Sequence, residues 1–411
     1  MQPTLNTPRR AVIAIAVLAQ ALFSYRLTIP SKPMFDEVHY LPAARALLTL
    51  TPSHNPEHPL LGKALIAVGI ALFGDGPLGW RIMSSLAGTA TVAGVFSILW
   101  LMFGRVRPAV IGSLFTVLNF TVFVQARIAM LDGFLACFIV LAVAAMLWSA
   151  RAAVQPHAWR RWLAGAALLG LAVGVKWTAV PYVAFAGIAF LLIRSRYPLA
   201  FAGIGTIAAI AALGAVSVAT YFTTFLPAFL LREDPMTIAR LIPYQREMWG
   251  YQTQVLPQHT YQSSWWTWPL DLRPIWYLYE PVDGAVRGVL MIGNPVVMWG
   301  GLVAVVACLW RYTRRRDAMA GAAALLWIAS LLIWAIIPKS LGFFYYYYLS
   351  SIWLCVALAA ASARGQRRPY WDECCLAFAA GVFIHFYPVL SAAALPGADA
   401  FKRWMWFGSW A

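Results

Sequence analysis

Two polar stretches stand close together near the start of the chain, Phe35-Asp36-Glu37-Val38-His39-Tyr40 and Asn55-Pro56-Glu57-His58-Pro59-Leu60-Leu61-Gly62-Lys63. They hold Asp36, Glu37, Glu57, His39 and His58 in a 411-residue protein with only 15 acidic residues and 6 histidines. The apolar segments on both sides put these ionisable groups beside hydrocarbon, where they are costly and mark a functional site. Neighbouring carboxylates diverge on a helix, so one can do chemistry while the other orients a substrate or a backbone group. A carboxylate just outside a membrane can take the proton from a hydroxyl that attacks an activated sugar. Inverting glycosyl transfer needs one such base and something to accept the leaving charge. Asp36 also stands where the N-cap of a helix over 37–48 would stand, and both roles can coexist. Proline after His58 holds that residue extended. Asp36, Glu57 and His58 are also of the types that ligate a divalent metal. Lys63 can reach a phosphate or snorkel to the interface.

Three later stretches carry groups able to meet them. In Gln125-Ala126-Arg127-Ile128-Ala129-Met130-Leu131-Asp132-Gly133, Arg127 and Asp132 can pair with each other, or Arg127 can bind a phosphate that Asp132 orients. Gly174-Val175-Lys176-Trp177-Thr178 sets one lysine between two apolar runs, as a snorkelling side chain or a phosphate contact. His259-Thr260-Tyr261-Gln262-Ser263-Ser264-Trp265-Trp266-Thr267-Trp268-Pro269-Leu270, followed by Arg273, pairs a histidine with tryptophans that can stack on sugar faces or sit among lipid headgroups. Upstream, Ile242 to Met248 reads as an amphipathic interfacial helix. A lipid-phosphate leaving group calls for cations of this kind.

The elements that must position these groups are membrane helices. The chain is 62% hydrophobic and 11% charged, with a mean hydropathy of +0.70, a balance typical of polytopic membrane proteins. Windows of roughly 20 residues predict about eleven spans, at 11–29, 80–103, 108–124, 129–150, 162–176, 178–194, 199–222, 288–310, 318–337, 341–361 and 373–393. Leu60–Phe73 is too short and suits a helix lying in the interface. The first segment is expected to be an uncleaved transmembrane helix.

With the N-terminus inside, every inner loop bears arginine: Arg9 and Arg10; Arg105 and Arg107; Arg151, Arg160 and Arg161; Arg194 and Arg196; Arg311 and Arg314 to Arg316; Arg364, Arg367 and Arg368. These are just over half of the 31 basic residues, as the positive-inside rule expects. The net charge of +16 is therefore mainly a topology signal, and nucleic-acid binding is not supported. The polar stretches all fall outside, in a first loop with interfacial helices at 30–79, the turns at 125–132 and Lys176, and a large loop at 223–286. Spans nearly free of polar residues argue against a channel. No internal repeat supports an inverted-repeat transporter. The five cysteines form no CxxC pair and read as reduced thiols.

Taken together, Phe35 to Tyr40, Glu57 to Lys63, Arg127 to Asp132, Gly174 to Thr178, and His259-x-Tyr261-x-Ser263 with Trp268-Pro269-Leu270 resemble the protein O-mannosyltransferase family, in the family's order and over most of the chain. The resemblance implies an all-α polytopic protein of the GT-C type, one integral membrane domain over 1–411. It implies a polyprenyl-phosphate-linked mannose donor, transfer outside the membrane onto Ser or Thr of a protein, and inversion at the anomeric carbon. It makes Asp36 the catalytic base and Glu37 its partner in substrate positioning. Arg127, Lys176 and His259 are implied as donor-phosphate contacts, and Glu57, His58, Lys63, Asp132, Trp177 and Arg273 complete the substrate-binding candidates.

Glu57-His58-Pro59-Leu60 departs from the family's usual His-Pro-Pro and is also similar to the lipid A aminoarabinose transferases, GT-C relatives that use a metal. That leaves two alternatives open, a lipid or glycan acceptor and a divalent metal, although no metal ligand is assigned. A transporter without chemistry is the reading from another class. The 223–286 loop is too short for the β-trefoil domain of eukaryotic members. These features point to a bacterial inner-membrane enzyme with a periplasmic active site.

Overall fold

The computed structural model describes residues 6–52, 55–337, 339–363 and 370–411. Arg364, Arg367 and Arg368 of the expected last inner loop lie outside the described residues. The helices are α1 (Asn6–Ser24), α2 (Glu37–Thr49), α3 (Leu61–Phe73), α4 (Pro77–Phe103) and α5 (Val106–Leu118), then α6 (Phe120–Gln125), α7 (Leu131–Ala150), α8 (Gln155–Val175), α9 (Val180–Arg196) and α10 (Thr206–Thr223). They continue as α11 (Ile238–Thr253), α12 (Pro295–Arg315), α13 (Ala318–Leu332), α14 (Tyr348–Ser362) and α15 (Trp371–Leu390).

Every expected apolar segment contains a helix, and eight helical segments among the described residues are long and apolar enough to cross a membrane. The helices α1, α5 and α8 are not among those eight: α5 has 13 residues, and α1 and α8 take Arg9, Arg10, Arg160 and Arg161 into their own first turns or halves. The interfacial reading of Leu60–Phe73 corresponds to α3, a 13-residue apolar helix ended by Gly74 at φ +86°.

Local chemistry sets the boundaries. Pro77 opens α4, where a missing N–H costs nothing, and Gly104 closes it in the left-handed conformation at φ +63°. The expected span 108–124 is broken at Asn119, whose Oδ1 accepts from the Thr121 N–H at 3.2 Å and so caps a new helix.

The expected span 288–310 is a correction. Residues Ile275–Val282 (β1) and Ala285–Met291 (β2) form an antiparallel hairpin, and the helix begins at Pro295 behind an Asn294 cap. The turn is Asp283-Gly284, with φ +50° and +74°, the pair that matches the strand twist in a two-residue turn. The expected large loop therefore contains α11, β1 and the first two residues of β2.

Packing runs from α1 to α4, α7, α8 and α10 on one side, and joins α5, α12 and α13 around α14 on the other. The segment Phe344–Ser362, which contains α14, is the most enclosed candidate span. At the arginine-bearing end, side chains fasten neighbouring helix termini. Arg105 Nη1 donates to the Ala363 carbonyl at 2.7 Å, Arg151 Nη2 to Met102 at 3.2 Å, and Arg311 Nη1 to Ala360 at 2.8 Å. These are carbonyls at or just past the C-terminal turns of α4 and α14, which have no intrahelical partner and carry negative dipole.

Candidate active site

Asp36 occupies the N-cap position of α2 but makes no capping hydrogen bond. Its carboxylate turns instead into a cavity of about 760 Å³ at the helix ends opposite the arginine loops, a size usual for small-molecule sites. The Tyr40 hydroxyl, one helical turn on, donates to Oδ2 at 3.4 Å. The cavity is walled by residues from three of the four polar stretches expected on one face, and from α11 within the fourth. Asp36, Glu57 and His58 come from the first, Asp132 from the start of α7, Lys176 and Trp177 from the α8–α9 turn, and Gln245, Trp249 and Gln252 from α11.

Lys176 is buried and its Nζ donates to Asp132 Oδ2 at 2.7 Å, so Asp132 pairs with Lys176 and the alternative of an Arg127–Asp132 pair is not the one formed. Trp177 presents its ring to the cavity while its Nε1–H donates to the Tyr221 hydroxyl at 2.9 Å. The His58 ring is held by Gln252, whose Nε2 lies 2.9 Å from Nδ1. Burial, with Lys176, Lys63 and Lys339 nearby, pushes this imidazole well below its ordinary pKa, so it is neutral. Burial pushes the Asp36 carboxyl up to about 6; Lys176 opposes that shift and Asp132 adds to it. The result is an ionised carboxylate near neutral pH with a raised proton affinity, as a general base requires.

Five expected contacts are corrected. Glu37 is fully buried and does not line the cavity. Its two oxygens receive Arg81 Nε and Nη2, both at 2.8 Å, and the Met34 and Ala129 N–H groups at 3.0 and 2.8 Å. Arg81 donates further to the Pro30 and Lys32 carbonyls at 2.6 and 3.0 Å, so the pair fixes the loop that presents Asp36. Lys63 is also fully buried, and its ammonium ties the Asn55 and His58 carbonyls at 2.7 and 2.8 Å. Arg127 grips the end of α1 through the Phe23, Tyr25 and Arg26 carbonyls at 2.8, 2.6 and 3.1 Å. His259 is exposed, accepts from its own loop at Tyr261 N, and packs on Phe343 at 5.3 Å between ring centres. Arg273 donates to the Thr260 and Ser409 carbonyls at 3.0 and 3.3 Å. The buried guanidinium and ammonium groups do not face the cavity because backbone carbonyls already satisfy them. Asp36, Glu57 and His58 do not form a metal-holding group, and no cluster of three or more His, Cys, Asp or Glu does so among the described residues.

Other lining residues were not legible from motif order. Lys339, Tyr345 and Tyr346 border the cavity, and Trp334 stacks on Tyr346 at 4.6 Å. A lysine and four successive tyrosines between two apolar runs are their sequence signal. Gln245, Trp249 and Gln252 recur at the spacing of one helical face.

A multi-pass helical membrane protein with an acid–base and cationic cavity at its helix ends is the arrangement of a GT-C glycosyltransferase. Residues 57–222 match the family profile of dolichyl-phosphate-mannose-protein mannosyltransferase, and residues 237–410 match the C-terminal four-transmembrane region of protein O-mannosyltransferase. The chain belongs to the protein O-mannosyltransferase family. A polyprenol-phosphate-mannose–protein mannosyltransferase of Mycobacterium tuberculosis is 29% identical, over 81% of this chain and 76% of the relative. That of Corynebacterium glutamicum is 26% identical, over 99% of this chain and 94% of the relative. Among solved structures, an S. cerevisiae protein O-mannosyltransferase complex bound to the sugar donor superposes with a TM-score of 0.82 at 15% identity, covering 100% of this chain and 93% of that one. ArnT from Cupriavidus metallidurans bound to undecaprenyl phosphate gives 0.61 at 17% identity, covering 94% and 71%.

Proposed function

We propose that this chain transfers mannose from a polyprenyl-phosphate donor to a Ser or Thr hydroxyl of a protein, with Asp36 as the base. The observation that carries this reading is the Asp36 carboxylate, which is free of capping duty and faces a cavity that also holds the Lys176–Asp132 pair. Asp36 accepts the hydroxyl proton as the acceptor oxygen bonds to the anomeric carbon. The bond from that carbon to the phosphate oxygen breaks on the opposite face, and its electron pair leaves with the phosphate. One bond forms as the other breaks, with inversion. The phosphate gains one negative charge, which the Lys176 ammonium is positioned to meet; Asp132 keeps that ammonium in place. Trp177 offers a ring face for the sugar or the lipid. Glu57 and His58 line the same cavity as Asp36 and are assigned to substrate binding.

The arginine-bearing loops at the other end support an extracytoplasmic cavity, periplasmic in a bacterial inner membrane. The mechanism assigns the leaving charge to lysine, so activity is expected to survive a chelator. In the decisive experiment, purified protein receives polyprenyl-phosphate-mannose and a Ser/Thr peptide. Asp36→Asn should lose turnover by about 10³-fold, within the range for removing a general base, while still binding donor. Near-normal transfer by that variant would refute the base assignment.

A further inference from the structure

The cavity contains a cation that no motif pointed to. Lys339 lies in the loop between α13 and α14, half-buried, and its ammonium bonds to Gln252 Oε1. That oxygen is neutral. Among the described residues no carboxylate lies within ion-pair distance of Lys339, whereas Lys176, on the same cavity, has Asp132 at 2.7 Å. Two ammonium groups facing one partly desolvated space repel each other. Lys339 is pushed down to about 8, by burial first and by Lys176 second, with Glu57 and Asp132 opposing the shift. Asp36, Glu57 and Asp132 line the same cavity, but among the described residues only Lys176 is ion-paired there, so the Lys339 ammonium is the cation left to receive an anion.

Lys339 is also held in a fixed position. The Gln252 amide is engaged at both ends: its Nε2 donates to the Glu57 carbonyl and meets His58 Nδ1, which leaves Oε1 for Lys339. The loop itself is pinned to the strap before β1. The Ser340 hydroxyl donates to the Gln254 carbonyl at 3.2 Å, and Ser263 N–H donates to the Gly342 carbonyl at 2.8 Å. A side chain at Gly342 would lie 2.6 Å from the Ser263 carbonyl oxygen, so the close approach requires glycine. The exposed His259 belongs to this brace through Phe343, which stacks on Tyr345.

We propose that Lys339, oriented by Gln252, binds the phosphate of the polyprenyl-phosphate donor together with Lys176. This rests on the reading of the cavity as a donor site and adds to it the second cation for the leaving group. When the bond between the anomeric carbon and the phosphate oxygen breaks, the phosphate passes from one negative charge to two, and Lys339, which among the described residues has no carboxylate at ion-pair distance, meets the added charge. Its contribution is therefore larger toward the released phosphate than toward the intact donor.

The test measures undecaprenyl phosphate and undecaprenol binding to purified protein, alongside transfer to a peptide. Lys339→Met is expected to weaken undecaprenyl phosphate binding by about tenfold, the scale of one charge-assisted hydrogen bond, while leaving undecaprenol binding unchanged. Lys339→Arg should recover most of the loss. If Lys339→Met, melting like the wild type, binds undecaprenyl phosphate as the wild type does, the proposal is overturned even where the wild type transfers mannose. If Lys339→Met instead weakens both ligands equally, the residue acts on the lipid tail or the fold and the proposal also fails. A wild type that binds the phosphate through Lys339 but transfers no mannose would leave this inference standing and remove the transfer reading.

Discussion

At the scale of single residues, the site separates a carboxylate that faces substrate from one that holds the backbone. Asp36 and Glu37 are adjacent, yet only Asp36 reaches the cavity, while Glu37 is enclosed by Arg81 and two N–H groups. The pH dependence of transfer follows from Asp36. The base works as the carboxylate, so kcat/KM for donor should rise with pH through about 6, and fall again above about 8 as Lys339 loses its charge. An ordinary carboxylate would place the rising limb near 4. Lys176 is the largest neighbouring influence that lowers the Asp36 pKa, so Lys176→Met should move the limb to higher pH in a steady-state pH profile. A limb that stays fixed would mean that the titrating group is elsewhere. The polar types at 36–58 made Asp36 legible in the sequence. The burial of Glu37 was not, because its partner Arg81 lies in an apolar run where nothing marks it as facing inward.

At the scale of elements, the hairpin is the part the sequence concealed. Asp283-Gly284 is a clear turn signal, but the apolar Val289 to Ile292 runs on, across only Gly293 and Asn294, into Pro295 to Val297. A short buried strand and the start of a buried helix cannot be told apart by periodicity. The hairpin matters because it steadies the loop that presents the base. Tyr277 of β1 stacks on Phe35 at 4.2 Å and 16°, and its hydroxyl receives Gln125 Nε2 at 3.1 Å. The Ser31 N–H donates to Asp283 Oδ2 at 2.9 Å, and Lys32 pairs with Glu280. Tyr277→Leu should therefore lower kcat by about tenfold, as a small misplacement of a catalytic group does, with donor KM little changed. Tyr277→Phe, which keeps the stack, should restore most of it. Equal losses in kcat and donor affinity would instead indicate general damage to the cavity.

At the scale of the molecule, the four outward stretches were legible as one face because the arginines fixed the alternation of loops. That reasoning identifies a face, not the contacts on it. Arg127 and His259 share the face with Asp36 and still point elsewhere, since a carbonyl cluster at the end of α1 and an aromatic brace claim them. Arg127→Met should lower the melting temperature of purified protein, because it orphans three carbonyls at about 1–3 kcal/mol each. Undecaprenyl phosphate affinity should remain as in the wild type. A selective loss of that affinity with unchanged melting would return Arg127 to the donor site.

The arginine clasps at the other end serve at two moments in the life of the protein. By the positive-inside rule, charges such as those of Arg105, Arg151 and Arg311 bias which loops stay behind while a chain is inserted. Once the helices have assembled, the same guanidinium groups grip the termini of α4 and α14 and the residue just beyond. Lysine at these positions would satisfy insertion equally well, since only charge is read there. It would lack the planar fork with which Arg311 reaches the Ala360 and Ala361 carbonyls and Asp317 together. Orientation and assembly thus depend on one set of side chains, and a charge-conserving exchange separates the two.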